Sequence, residues 1–224
     1  MTAMAWTDLG RQPYQAVWDL QRTLVEAHKA GRGTDRLLLV EHAPVITLGR
    51  RADAAHVLAD ASALAERGVA VYRVERGGDV TFHGPGQLVA YPVLDLHRFR
   101  KDVRWYSRAL CEVVIGTLAS FGIPAYSRKG IETGVWVDAA VPPSPPGKIA
   151  AIGVRIERWI AYHGLALNVD PDLSCFDWIV PCGLADVRTV AMAGILDRPV
   201  TVADVRPALV GAFGAVFNVR MVRA

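Results

Sequence analysis

The stretch Arg76-Gly-Gly-Asp-Val-Thr-Phe-His-Gly-Pro-Gly-Gln87 is the most informative part of this 224-residue chain. Four of its twelve residues are glycines, and glycine is concentrated where the backbone turns sharply or approaches another group closely. The stretch is not a Walker A loop, because no Gly-Lys-Ser/Thr closes it, and it lacks the third glycine of a dinucleotide-binding motif. It therefore predicts a ligand whose carbonyl or acyl group lies against exposed backbone N–H groups.

Two further segments extend this motif along the chain. They are Gly147-Lys-Ile-Ala-Ala-Ile-Gly153, and His163-Gly-Leu-Ala-Leu-Asn168 followed by Pro181-Cys-Gly-Leu184. In their order and spacing, the three motifs resemble those of the lipoyl(octanoyl) transferases, which move an octanoyl group from acyl carrier protein onto a lysine of lipoyl domains. The resemblance covers about half of the chain. Its departures are Phe82, where the family often has tyrosine, and Asp79, where glutamine is frequent.

The resemblance implies a fold, a set of partners and a cofactor requirement. The fold is the mixed sheet flanked by helices of the biotin and lipoate protein ligases, in a single catalytic domain over residues 1–224. The donor is octanoyl-acyl carrier protein. The acceptors are the lipoyl domains of 2-oxoacid dehydrogenase E2 subunits and the glycine cleavage H protein. No metal, nucleotide or redox cofactor is expected, because a thioester is already activated.

Composition excludes several other classes of protein. Hydrophobic residues make up 52% and charged residues 21% of the chain, which is typical of a globular enzyme and not of a disordered protein. The net charge of +3 comes without a clustered basic run, so nucleic-acid binding is not expected. Residues 1–8 lack a basic region and an apolar region, so no secretory signal is expected, and no apolar run reaches membrane-spanning length. Three cysteines are best read as reduced thiols in the cytoplasm.

Hydrophobic periodicity and glycine or proline stops predict an α+β or mixed α/β architecture. Helices are expected over residues 13–29, 61–67, 103–121 and 201–217. Strands are expected over residues 36–41, 45–48, 69–74, 87–96, 125–128, 134–138, 149–157 and 160–168. Pro92 should place its strand at a sheet edge or at a bulge, and the proline-dense residues 141–146 should form an exposed, semi-rigid loop. That loop is either the rim of the site or an insertion with no role.

Cys182 is the candidate nucleophile. Pro181 restricts the backbone on one side and Gly183 frees it on the other, as in a turn that presents a side chain. An unperturbed thiol is only about 3% ionised at pH 7, and the thiolate is the reactive form. The alternative for any cysteine is a packing role, and that is the expectation for Cys111 inside its helix. Cys175 lacks a Cys-x-x-Cys partner, so a zinc site is not expected, although a redox link to Cys182 stays open.

Lys148 is the candidate activating cation. If its strand begins at Lys148, alternation places the lysine on the apolar face that carries Ile152, Val154 and Ile156. A lysine on that face is costly unless it is paired or deprotonated. The alternative is that Lys148 belongs to the preceding loop and extends into solvent. The resemblance assigns this position to the lysine that lowers the thiol pKa and relays protons.

His83 and His163 are the remaining polar candidates, and a lone histidine is more often structural than catalytic. A papain-type Cys-His pair is conceivable, but its local signatures are absent around Cys182. Backbone N–H groups near the glycines are candidates for stabilising an oxyanion. The resemblance implies the following substrate-binding residues: Arg76, Gly77, Gly78, Asp79, Val80, Thr81, Phe82, His83, Ala151, Ile152, Gly153, His163, Gly164, Leu165 and Ala166.

The sequence thus predicts a two-step octanoyl transfer through an acyl-thioester on Cys182, with Lys148 as its partner. Two alternatives stay open. One is an ATP-dependent lipoate or biotin ligase, which forms an acyl-adenylate and needs no cysteine. The other is a non-catalytic module that only binds lipoyl domains or acyl carriers.

Overall fold

The computed structural model describes residues 1–128, 133–139, 145–181 and 187–224. The helices are α1 Tyr14–Lys29, α2 Ala61–Glu66, α3 Val103–Ala119, α4 Met192–Leu196 and α5 Val202–Phe217. The strands are β1 Thr2–Gln12, β2 Arg36–His42, β3 Val45–Leu48, β4 Ala70–Arg73, β5 Val80–His83, β6 Gln87–Asp95, β7 Tyr126–Arg128, β8 Gly134–Val137, β9 Gly147–Glu157, β10 Ile160–Asn168, β11 Arg188–Thr189 and β12 Val219–Arg223. None of these helices combines the length and hydrophobicity needed to span a membrane.

The described strands form two sheets. The larger has the order β12-β1-β2-β6-β10-β9-β8-β7, with β11 pairing beside β9. Its pairs are parallel from β12 to β2 and antiparallel from β2 to β7, so the predicted mixed sheet is confirmed. The smaller sheet has the order β4-β3-β5, and its strand β5 comes from the glycine-rich stretch.

Helices cover both faces of the larger sheet, and alternation along β2 shows how. Leu37 and Leu39 belong to the main core with residues of α3 and α5. Leu38 and Val40 point the other way and pack with Val17 of α1. Because successive side chains of a strand face opposite sides, this continuous apolar run identifies a strand buried on both faces.

The predicted start of the last helix is confirmed at α5. The Thr201 hydroxyl accepts a hydrogen bond from the Asp204 backbone N–H, and the Asp204 carboxylate accepts one from the Thr201 N–H at 2.9 Å. This reciprocal capping box satisfies donors that lack partners within the helix. The helix ends at Asn218, whose φ of 53° is left-handed.

Pro92 is expected at a sheet edge or at a bulge. The edge is wrong, since β6 is central between β2 and β10, but the ladder is irregular at this point. Proline is tolerated there because the ladder is interrupted opposite it. Pairing between β6 and β10 runs from Ala161↔Leu94 directly to Leu165↔Ala90. Within this gap, His163 has a left-handed φ of 56°, and its N–H is donated to the Gln21 side chain at 2.9 Å instead of to β6.

Gly86 is required by both backbone conformation and space, and this yields a stability prediction. Its φ is +82°, and a Cβ at this position would lie 2.2 Å from the carbonyl oxygen of Asp170. We expect Gly86→Ala to lower the free energy of unfolding by about 3 kcal/mol, measured by urea denaturation.

The matched control is Gly211→Ala in α5, where nothing lies within 4 Å of the added Cβ. Because alanine has the higher helix propensity, this change should raise the free energy of unfolding by about 0.5–1 kcal/mol. Equal effects at the two positions would contradict the explanation for Gly86.

Candidate active site

A cavity lies between the glycine-rich stretch and the β9–β10 hairpin. Fourteen of the fifteen predicted substrate-binding residues line it: Arg76, Gly77, Gly78, Asp79, Val80, Thr81, His83, Ala151, Ile152, Gly153, His163, Gly164, Leu165 and Ala166. Lys148 lines it as well, together with Tyr14, Val89 and Tyr91, which sequence reasoning did not select. The structure therefore brings described residues from each of the three motifs together around one space.

The glycine-rich wall is held in place by Arg76, which is almost fully buried. Its Nη2 donates to the backbone oxygen of Thr47 at 2.6 Å and to the Thr47 hydroxyl at 2.9 Å. Its Nη1 donates to the Gly77 carbonyl at 3.0 Å. The guanidinium thus fixes this wall to β3, and a Cβ on Gly153 of the opposite wall would lie 3.0 Å from its Cδ.

Phe82 is the predicted site residue that the structure places elsewhere. Its ring packs edge-on against Phe176 and Trp178, with centroid distances of 5.7 and 5.8 Å. The reason is alternation along β5. Thr81 and His83 face the cavity, whereas Phe82 faces the opposite side, where it belongs to a second, smaller hydrophobic core. The absence of a tyrosine hydroxyl at this position therefore removes no group from the cavity wall.

Lys148 is buried, with 6% of its surface exposed, so it does not extend into solvent. The predicted alternation is wrong, because a register shift between β8 and β9 pairs Lys148 with Trp136. Lys148 therefore lies on the face opposite Ile152, Val154 and Ile156, which pack against the main core. Its Nζ lies 5.8 Å from the centre of the Trp136 ring. Gly134 makes room for it, since a Cβ there would lie 2.6 Å from Lys148 Cε. A second, smaller cavity adjoins the first and is lined by Lys148, Thr81 and Pro181, among others.

The three cysteines differ in what the structure describes. Residues 182–186, which include Cys182, lie outside the described residues, as do residues 141–144 of the proline-dense segment 141–146. Cys111 is a free thiol packed in the main core, and burial raises its pKa to about 11. Cys175 is a free, partly buried thiol whose pKa is raised by burial. Neither of these two thiols has the lowered pKa of a reactive cysteine.

His42 and His83 are buried beside the cavity, and both are held neutral. Burial lowers the pKa of His42 to about 4. Burial, assisted by the nearby His42, lowers the pKa of His83 to about 3. The rings lie 6.0 Å apart, edge to face. Sequence reasoning missed His42 because it is the last residue of β2 and belongs to no recognisable motif.

His163 is also buried, with its ring stacked on Tyr162 at a centroid distance of 5.0 Å. Its Nε2 lies 3.8 Å from the Glu75 carboxylate, too far for a hydrogen bond. Burial lowers its pKa. A neutral ring, fixed by its strained backbone and by Gln21, fits a wall residue better than a proton carrier.

The glycines allow close packing, but their N–H groups are not all available to a ligand. Gly86 donates its N–H to the Glu41 carboxylate at 2.9 Å, and Gly77 donates to the Val154 carbonyl at 2.8 Å. A Cβ on Gly164 would lie 2.2 Å from the Ala90 carbonyl oxygen. The N–H groups of Gly86 and Gly77 are therefore bonded within the protein, and Gly164 is explained by strand packing.

The neutral histidines predict acid sensitivity. An unfolded histidine has a pKa near 6.5, so below about pH 6.5 the unfolded chain binds protons that folded His42 and His83 do not. Stability should therefore fall as the pH is lowered from about 6.5 to about 4.5, by up to about 1.4 kcal/mol per pH unit for each of the two. Urea denaturation across this range measures the slope.

Two variants test whether the buried histidines cause this pH dependence of the free energy of unfolding. His42→Gln and His83→Gln should each make it shallower, because each variant removes one histidine whose pKa is lowered by burial. A free energy of unfolding that stays constant from about pH 6.5 to about 4.5 would show that the histidines are not held neutral.

Comparison with known proteins extends these observations. Residues 13–214 match the family described as the lipoyl protein ligase A/B catalytic domain. An octanoyltransferase from Gloeobacter violaceus is 47% identical over 212 residues, which are 94% of this chain and 89% of that relative. Among solved structures, this chain is similar to a bi-partite lipoate protein ligase from Thermoplasma acidophilum, solved with its E2 lipoyl domain. The match covers 100% of this chain and 87% of the ligase chain, with a TM-score of 0.73 at 18% sequence identity.

A biotin protein ligase from Aquifex aeolicus has the same fold more distantly. Its TM-score is 0.52 at 11% identity, and the match covers 97% of this chain and 70% of that one. The prediction of the mixed sheet found in lipoate and biotin protein ligases is therefore confirmed.

Proposed function

Because this chain belongs to the lipoyl protein ligase A/B catalytic domain family, we propose that it is an octanoyltransferase of protein lipoylation. Its donor is octanoyl-acyl carrier protein, and its acceptor is a lysine of lipoyl domains, those of 2-oxoacid dehydrogenase E2 subunits and of the glycine cleavage H protein. The high identity to an octanoyltransferase over nearly the whole chain supports the reaction. The lipoate ligase solved with an E2 lipoyl domain supports the class of acceptor.

One observation carries the catalytic assignment: Lys148 and Pro181 line the same small cavity. Pro181 is bonded directly to Cys182 in the chain, and the lysine side chain is buried at this point. A cation beside a thiol stabilises the thiolate and so lowers the thiol pKa. Cys182 is accordingly the nucleophile, and Lys148 is the residue that activates it.

The reaction proceeds in two steps. The Cys182 thiolate attacks the thioester carbonyl, a new C–S bond forms, and the carrier leaves as its thiol after taking a proton from Lys148. The ε-amine of the acceptor lysine then attacks the octanoyl-Cys182 thioester. A C–N bond forms, the Cys182 sulfur leaves as thiolate, and the amine proton passes to the Lys148 Nζ.

The larger cavity holds the octanoyl group. Apolar residues line it from three strands, including Val89, Ala151 and Ala166, and burial of an alkyl chain contributes about 0.8 kcal/mol per CH₂ group. Fourteen of the residues assigned to substrate binding by family resemblance surround this space. Phe82 instead supports the wall from behind.

A transfer assay distinguishes this function from that of a ligase. The purified protein is incubated with an apo lipoyl domain and either octanoyl-acyl carrier protein without ATP or free octanoate with ATP. We expect octanoylated lipoyl domain only in the first mixture. Product in the second mixture alone would identify an ATP-dependent ligase, and binding of the lipoyl domain without product in either would identify a non-catalytic module.

A further inference from the structure

A chain of buried hydrogen bonds runs from the backbone beside Lys148 to the ring of His83. The backbone N–H of Val190 donates to the Lys148 carbonyl at 3.1 Å, and the Val190 carbonyl accepts from Asn168 Nδ2 at 3.1 Å. Asn168 Oδ1 accepts from Gln87 Nε2 at 2.9 Å. Gln87 Oε1 lies 2.6 Å from His83 Nδ1.

The backbone carbonyl of Val190 fixes the direction of every side-chain hydrogen bond in this series. A carbonyl only accepts, so the Asn168 atom facing Val190 is its NH₂ group, and the Asn168 oxygen faces Gln87. The Gln87 atom facing Asn168 is then its NH₂ group, and the Gln87 oxygen faces His83. An oxygen cannot donate, so His83 carries its proton on Nδ1, and Nε2 retains its lone pair.

The hydrogen bonds of His42, whose ring lies next to that of His83, are directed by a backbone carbonyl in the same way. The carbonyl of Gln12 lies 3.1 Å from His42 Nδ1, so that nitrogen donates. The His42 Nε2 is consequently an acceptor, and it receives the Tyr91 hydroxyl proton at 2.9 Å. The Tyr91 oxygen keeps its lone pairs, and both Tyr91 and His83 line the cavity. Two backbone carbonyls thus leave two acceptors on these side chains.

A cavity wall that presents hydrogen-bond acceptors suits a ligand that carries hydrogen-bond donors. The acyl chain and the thioester carbonyl have no N–H or O–H group, whereas the attacking lysine amine has two N–H bonds. We propose that His83 accepts a hydrogen bond from this amine through Nε2 in the second half-reaction, and that Gln87 and Asn168 are positioning residues that hold His83 in the required tautomer.

This assignment rests on the proposed function and adds a specific role within it. When the amine attacks the octanoyl-Cys182 carbonyl, one N–H points to His83 Nε2, which orients the nitrogen lone pair toward the carbonyl carbon. The C–N bond forms and the C–S bond breaks. The second amine proton goes to Lys148, because a neutral His83 whose pKa is lowered to about 3 accepts a hydrogen bond but does not retain a proton.

The first test is spectroscopic and does not depend on activity. Nitrogen-15 spectra of the histidine rings report which nitrogen carries the proton. In the native protein we expect the His83 signal of an Nδ1–H tautomer. In Gln87→Met, where no oxygen faces Nδ1, the Nε2–H tautomer should become populated. In Gln87→Asn, which keeps both the oxygen and the NH₂ group of the amide and tests the idea even if the methionine variant folds poorly, the Nδ1–H tautomer should persist.

The second test separates the two half-reactions. Acylation of Cys182 and discharge to a lipoyl domain are each timed in single-turnover experiments. Gln87→Met should acylate within about threefold of the native rate but discharge at least about tenfold more slowly, equivalent to the loss of roughly one hydrogen bond. Gln87→Asn should retain more of the discharge rate than Gln87→Met.

The matched control is Gln21→Met, which removes another buried glutamine near a histidine. Gln21 accepts from the His163 backbone N–H and not from a ring, so this variant should lose stability while the His83 tautomer stays unchanged. An Nε2–H tautomer in the native protein, or equal slowing of both half-reactions in Gln87→Met, would overturn the proposal. Failure of the native protein to form any acyl-enzyme would instead reject the transferase function, while the spectrum still decides the tautomer.

Discussion

Cys182→Ser is expected to reduce octanoyl transfer at least about 10³-fold while leaving the fold intact. A serine hydroxyl ionises far less readily than a thiol, so a site that stabilises a thiolate at neutral pH does not produce the alkoxide needed for attack. Initial rates of lipoyl-domain octanoylation, with native and variant protein at equal concentration, measure the effect. Equal urea denaturation midpoints verify that the fold is retained.

The control is Cys175→Ser, seven residues earlier in the chain. Cys175 packs beside the small core, and its raised pKa marks an unreactive thiol, so this variant should keep nearly native activity. It also decides whether Cys175 and Cys182 form a redox link, because reductant should then change the native rate but not the variant rate. A Cys182→Ser protein with near-native activity would refute the covalent mechanism.

Lys148→Met is expected to reduce transfer about 10²-fold and to move the pH dependence of the first step to higher pH. Without the cation, the thiol pKa rises toward about 8.5 and the thiolate fraction at pH 7 falls to about 3%. Loss of the proton relay lowers the rate further. The pH dependence of iodoacetamide alkylation, measured in a Cys175→Ser background, reports the thiol pKa directly.

Two observations separate this role from a structural one. Methionine fills a similar volume and removes a buried charge, so the free energy of unfolding should change by less than about 2 kcal/mol. Lys101→Met, at an exposed position, should change neither the rate nor the alkylation profile. An unchanged alkylation profile in Lys148→Met would show that Lys148 does not activate the thiol.

Much of the fold was predictable, because hydrophobic periodicity and capping residues in the local sequence determine most of its helices and strands. A Thr-x-x-Asp cap and an apolar run predict α5, and the structure confirms it. Strict alternation predicts that Lys148 shares a face with Ile152, which is wrong because the register shift between β8 and β9 cannot be seen in the sequence. Strands β1 and β12 were missed because they pair at one side of the sheet and their residues are mostly partly or fully exposed, which leaves little hydrophobic periodicity.

Only those parts of the site that belong to a recognisable sequence motif were predictable. Family resemblance selected fourteen residues that line one cavity, but it also selected Phe82, since a motif does not show which side of a strand a residue faces. Tyr14 and His42 reach the site from α1 and β2, which carry no motif. Gln87 lies within a recognised motif, yet its contact with Asn168 joins positions 81 residues apart. Such contacts follow from sheet pairing and not from local sequence.

The central claim is that the octanoyl group is carried on Cys182. The direct measurement is an intact mass of the protein after incubation with octanoyl-acyl carrier protein in the absence of ATP, followed by peptide mapping and then by addition of an apo lipoyl domain. The mechanism predicts a mass gain of one octanoyl group, located on Cys182 and lost when the lipoyl domain becomes octanoylated. An unmodified protein that still octanoylates the lipoyl domain, or an adduct that maps to another residue, would contradict it.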